Sequence, residues 1–159
     1  RPLGKRREAE FSPFERHSAF ANSVRSTIEQ FLRVGKVVTL VYAVPEVGVD
    51  VPSFLAKSAW RDGASFSPLT TSRGVYRSRV ASVHSVFDAL GERRGLRRVR
   101  PEALFCGISA EGRCETMAGR EVLYFDDNHP SSHGARRIAT VVVDGMSDAV
   151  ESVAVNARE

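Results

Sequence analysis

The sequence predicts an α/β protein whose strands run parallel. Three features point that way. An amphipathic helical stripe closed by Gly35 is followed almost at once by a continuous apolar, β-branched run, Val37 to Val44. A second helical stripe closed by Gly91 leads to another short strand pattern, Leu96 to Arg100. A third stripe follows a polar turn near the C-terminus. Helices alternating with buried strands are the pattern of a parallel sheet covered by helices.

Taken in order, residues 1 to 17 are polar and basic, with Pro2, Gly4 and Pro13, and read as an irregular lead-in. Ser18 is the candidate N-cap of the first helix. Phe20, Val24, Ile28, Phe31 and Leu32 then share one helical face, which Gly35 ends as a C-cap. The Val37 to Val44 run predicts a strand buried on both faces. Pro45 stops it, and Glu46 through Val51-Pro52 form a loop at its C-terminal end. Open α/β sheets hold their ligands at that edge, so Glu46 is a candidate pocket-rim, substrate-binding residue. Its position alone fits an exposed loop acid better. Trp60 to Thr71 holds Gly, Ser, Pro and Thr without a period and reads as a long loop.

Tyr76, Val80, Val83, Phe87 and Leu90 mark the second helix, with His84 beside the stripe as a structural boundary residue. Leu96 to Arg100 is a short strand with Val99 inward, Pro101 to Phe105 a turn, and Glu121 to Phe125 a further short strand. The last helix runs from about Ser132 to Val150. Its face is Ala135, Ile138, Ala139, Val142, Val143 and Met146, and Gly145 weakens its last turns. No internal repeat or low-complexity segment interrupts this order.

At 159 residues the chain is one domain or part of one. With 42% hydrophobic and 26% charged residues it has the composition of a globular domain, and no apolar run reaches the length of a membrane span. It begins at Arg1 rather than Met, so an upstream segment is expected. The net charge is +4, concentrated in Lys5-Arg6-Arg7 and in Arg93, Arg94, Arg97, Arg98 and Arg100. No nucleic-acid motif or stacking aromatics accompany these runs, so no nucleic-acid partner is expected. Cys106 and Cys114 are spaced too widely for a redox C-x-x-C pair and are too few for a structural zinc site. The residues alone leave two free thiols or a disulfide across a turn.

The densest chemistry lies in Tyr124-Phe125-Asp126-Asp127-Asn128-His129-Pro130-Ser131-Ser132-His133-Gly134-Ala135. Pro130 disfavours helix for His129, so Asp126 and His129 stand three apart on a turn. A carboxylate there can fix the imidazole tautomer and stabilise its protonated form, as a general base requires. Two other readings stand beside this one. Asp126 could simply cap the turn. Asp126, Asp127, His129 and His133 could gather a metal, although no further ligand is evident and no metal is expected. Ser131 or Ser132 is a ready N-cap for the last helix.

The longer pattern, Tyr-x-Asp-x-x-His-x-Ser-x-x-Gly-Ala, resembles the last motif block of the SGNH (GDSL-like) hydrolases and acyltransferases. It is most like the SGNH domain fused to bacterial membrane O-acyltransferases. The runs Gly35-Lys36 through Val44-Pro45-Glu46 and Asp50-Val51-Pro52 resemble the same domains. The resemblance covers most of the chain from about Phe20, although only the 124–135 block is specific.

It implies a three-layer sandwich around a five-stranded parallel sheet, of which this chain is the C-terminal part. It implies Asp126 and His129 as two members of a Ser-His-Asp triad, with Asp127 at a variable place and no cofactor. It implies a disulfide between Cys106 and Cys114, because a Cys pair precedes the last motif in such domains. The implied reaction moves an acyl group from a donor to a glycan acceptor such as lipopolysaccharide. The implied setting is a periplasmic domain tethered to an inner-membrane acyltransferase. An SGNH esterase and a non-catalytic carbohydrate-binding module are the alternatives. Pro130 departs from the usual Leu, which leaves the pair intact and changes the pocket wall. The nucleophile turn Gly-Asp-Ser and the oxyanion tripeptide Gly-x-Asn are both absent from these residues.

Overall fold

The structure, a computed structural model, describes residues 12–63 and 67–156, with side chains described except at 13 and 146–156. Met146 and the Lys5-Arg6-Arg7 run therefore lie outside the described side chains. Helix α1 (Pro13–Arg33) begins earlier than Ser18, and residues 12–17 are not irregular. Ser12 Oγ accepts from the Glu15 N–H at 3.2 Å, and Glu15 Oε2 accepts from the Ser12 N–H at 2.7 Å. This reciprocal box, with Pro13 where a missing N–H costs nothing, starts the helix.

Strand β1 (Val38–Val41) is four residues long. It pairs in parallel with β3 (Leu96–Val99), from Val38 opposite Leu96 to Val41 opposite Val99. The expectation of an eight-residue strand buried on both faces is corrected here. Among the described residues β3 is its one hydrogen-bonded neighbour, and Val41 remains 44% exposed. Alternate side chains serve the two faces of this pair. Val38, Leu40 and Leu96 pack with Ile28, Leu32 and Leu90 of the helical side. Thr39, Arg97 and Val99 border a cavity of about 340 Å³ whose far wall is Val141, Val142 and Gly145.

Helix α2 (Val51–Asp62) occupies part of what read as loop. Asp50 Oδ1 accepts from the Ser53 N–H at 2.8 Å, and Pro52 sits in the first turn. Val51 and Leu55 are buried, but Phe54 and Trp60 face outward, Trp60 at 90% exposure. Those outward aromatics blurred the period. Strand β2 (Thr70–Ser72) pairs antiparallel with β4 (Arg113–Glu115). Between them come α3 (Arg73–Asp88), β3 and the single turn α4 (Glu102–Phe105). Strands β5 (Met117–Ala118) and β6 (Glu121–Val122) form an antiparallel hairpin, so the Glu121 strand does not extend the parallel sheet. Helix α5 (Ser132–Asn156) follows.

A second core lies beneath the motif turn. Val51, Leu55, Phe105, Cys106, Cys114, Leu123 and Tyr124 are buried there together. Cys106 and Cys114 oppose each other as an antiparallel bridge, with their sulfurs 2.01 Å apart.

Candidate active site

The motif turn is built on a buried base. Leu123 and Tyr124 are sealed in the second core, and Tyr124 bridges to Pro130. The Phe125 N–H donates to the His129 carbonyl at 2.8 Å, which closes residues 125–129 into a loop. Within it, Asp126 Oδ1 accepts from the N–H groups of Asn128 at 2.9 Å and His129 at 2.7 Å. Asp126 Oδ2 lies 2.8 Å from His129 Nδ1. The N–H donors of Asn128 and His129, and then the His129 ring, push the Asp126 carboxyl down to about 2. It is ionised at neutral pH and accepts only. The ring proton of a neutral His129 therefore sits on Nδ1, and Nε2 carries the free lone pair. The His129 side chain is 73% exposed.

The Ser-x-x-Gly part of the motif fixes where α5 starts. Ser131 Oγ donates to the Val122 carbonyl at 2.6 Å and accepts from the N–H groups of His133 at 3.2 Å and Gly134 at 3.3 Å. Ser131 is thus the cap. Its own N–H donates to the Leu123 carbonyl at 2.9 Å. Gly134 permits this approach, since a Cβ there would stand 2.2 Å from the Leu123 oxygen.

The turn is also tied to the loop that follows β1. Tyr124 Oη donates to the Pro45 carbonyl at 2.8 Å. The Val47 N–H donates to the Asp127 carbonyl at 2.8 Å, and the Val51 N–H to the Asp126 carbonyl at 3.2 Å. Glu46 is therefore next to a residue that touches the motif. Its carboxylate lies 3.7 Å from Arg79 Nη1, and both side chains are about half exposed. His133 is turned elsewhere, with Nδ1 3.1 Å from Glu121 Oε1. Among the described residues no group of three or more His, Cys, Asp or Glu side chains is placed to hold a metal ion.

Sequence reasoning missed the 45–51 ties and Tyr76, whose Oη donates to the Ala43 carbonyl at 2.8 Å. The signal available was Asp50-Val51-Pro52, a cap followed by a first-turn proline, which brings the chain back toward the motif.

The model of one family, the SGNH domain fused to AT3 domains, matches residues 3–144. The chain belongs to this SGNH family. No curated protein and no solved structure matches it. Membership places the SGNH domain among acyl-transfer and ester-cleaving domains and links it to a membrane acyltransferase domain. Among the described residues no helix is long and apolar enough to cross a membrane. The mixed helix and strand content with a small parallel sheet agrees with the α/β expectation.

Proposed function

We propose that this SGNH domain takes part in acyl transfer by a Ser-His-Asp mechanism, moving an acetyl group to a cell-surface glycan. The observation that carries the reading is the 2.8 Å contact of His129 Nδ1 with an Asp126 carboxylate already held by two backbone N–H groups. His129 Nε2 takes the proton of a serine hydroxyl as that oxygen attacks the donor carbonyl, then returns it to the leaving group. The incoming glycan hydroxyl is activated by the same nitrogen in the second half-reaction. Asp126 holds the tautomer and stabilises the imidazolium. Asp127 engages the 45–51 loop through its carbonyl and has no chemical role. Glu46 lies on the acceptor rim.

The serine and the oxyanion donors come from outside this chain, on strands that complete a three-layer sandwich. The domain works on the periplasmic face of the inner membrane, where Cys106 and Cys114 form a disulfide. The absence of Gly-Asp-Ser and Gly-x-Asn from the chain favours, as a second reading, a carbohydrate-binding module without chemistry.

Variants of the full-length protein separate the two. His129→Ala is expected to lower kcat for acetyl transfer or ester hydrolysis by several orders of magnitude, with unchanged circular dichroism. Asp126→Asn costs as much or less, and Asp127→Asn less than about tenfold, roughly 1.4 kcal/mol of barrier. The isolated chain is expected not to hydrolyse p-nitrophenyl acetate above background. Full activity in His129→Ala would leave the binding module standing, and a dead Asp127→Asn beside an active Asp126→Asn would shift the motif register.

A further inference from the structure

We infer that Tyr124 and Tyr76 are positioning residues: their hydroxyls fix the segment 43–51 on which the Asp126–His129 turn hangs. The catalytic consequence rests on the proposed reaction; the tether itself rests on geometry alone. After β1 the chain leaves the sheet, and the carbonyls of Ala43 and Pro45 need partners other than a strand. Tyr76, from α3, donates to the first at 2.8 Å, and Tyr124, from the motif, donates to the second at 2.8 Å. Both tyrosines are essentially sealed from solvent. Burial raises both phenols, Tyr76 to about 12, so each remains a protonated donor at any working pH.

The same segment then reaches the turn from the other side. The N–H groups of Val47 and Val51 donate to the carbonyls of Asp127 and Asp126. Tyr124 stands two residues before Asp126, so the path Tyr124 to Pro45 to Val47 to Asp127 closes a ring of contacts that includes the Asp126 backbone. Removing the Tyr124 hydroxyl opens that ring. The aromatic packing stays, since the ring of Tyr124 meets that of Phe105 edge-on at 5.7 Å. The turn keeps its internal hydrogen bonds but loses its register against the strand end, where a reacting group must be placed. A displacement of about 1 Å in such a group can cost on the order of a hundredfold in rate.

The test has two arms. On this chain, amide hydrogen exchange at Val47 and Val51 is followed in Tyr124→Phe and Tyr76→Phe, with Leu123, whose N–H donates to the Thr116 carbonyl, as internal reference. Both exchange at least about tenfold faster in Tyr124→Phe, and Leu123 is unchanged. In the full-length protein, Tyr124→Phe lowers kcat by about ten- to a hundredfold and leaves the acceptor KM within about twofold; Tyr76→Phe does the same to a smaller degree. Tyr42→Phe is the control, because its hydroxyl serves Asp88, away from the turn. It should change neither readout.

Unchanged exchange at Val47 and Val51 overturns the tether, whatever the activity. Faster exchange with kcat intact, in a protein that His129→Ala kills, overturns the positioning role. A change in KM alone, or an equal loss of kcat in Tyr42→Phe, also counts against it. If His129→Ala stays active, the proposed reaction fails and the positioning role with it, while the exchange arm still decides the tether.

Discussion

Replacing Gly134 with alanine sets two effects of opposite sign against each other. Alanine is the better helix former by about 0.8–1.0 kcal/mol, and Gly134 lies in the first turn of α5 with a negative φ that alanine accepts. Propensity alone therefore predicts a more stable protein. Against it, the new Cβ would meet the Leu123 carbonyl oxygen at 2.2 Å and Pro130 Cβ at 3.2 Å. Ordinary contacts lie near about 3.5–4.0 Å, so the helix start and the Leu123 backbone must part by roughly 1 Å.

Overpacking of this kind costs about 1–3 kcal/mol, and here the obstacle is backbone that cannot swing aside. The movement also stretches the Ser131 bonds to the Leu123 and Val122 carbonyls, each worth about 0.5–1.5 kcal/mol. After the helical gain of about 1 kcal/mol, the net loss is about 1–5 kcal/mol. In a chain of 159 residues that lowers Tm by roughly 2–20 °C. Thermal unfolding by circular dichroism reads it, with Gly145→Ala as the matched control. A Cβ at Gly145 would meet only Arg97 Nη1, at 3.8 Å, so that variant should gain roughly 2–4 °C. A Tm for Gly134→Ala within about 2 °C of the parent would refute the close-approach account of this glycine.

Two further outcomes follow from the same turn and core. The Asp126 carboxyl lies at about 2 in the folded chain against 3.8 ordinarily, so its contribution to stability is complete above pH 4 and is lost as the pH falls toward 2. Carboxyl NMR should give that low midpoint, with the Asn128 and His129 amides shifting in step; a midpoint near 4 would mean the turn does not form. Reducing Cys106–Cys114, whose sequence separation is 8, should cost on the order of 2–3 kcal/mol by the chain-entropy account. Unfolding with and without reductant measures this, and two thiols alkylated in protein from an oxidising compartment would remove its basis.

Much of the helical frame was legible because its signals are local. Gly35 and Gly91 do end their helices with positive φ, and Ser131 does cap α5. Phe20 and Val83 belonged to the expected stripes yet are exposed, since a stripe records periodicity and not whether a partner covers it. The Val37 to Val44 run overstated β1 for a related reason. Apolar, β-branched composition favours strand, but the ladder ends where Tyr76 and Tyr124 take the next carbonyls. Those partners lie 33 and 79 residues away in sequence, beyond any local pattern.

Asp126 and His129 could be singled out because their contact spans one turn. The 45–51 segment could not, because it meets the motif through backbone groups that every residue carries. Helix α2 was hidden by its outward Phe54 and Trp60, although its Asp50 cap was in plain view.

The openness of His129 bears on how an acyl group would be partitioned. An imidazole with nearly three quarters of its side chain in solvent can activate water as readily as a sugar hydroxyl. Bulk water is present at about 55 M, so an uncovered pair would favour hydrolysis over transfer by supply alone. Transfer to a glycan then depends on how long the acyl group survives under whatever packs over Phe125 and His129, both of which point outward. Under the proposed mechanism, an Asp126–His129 pair as open as this one would send the acyl group to water unless a further surface closed over it.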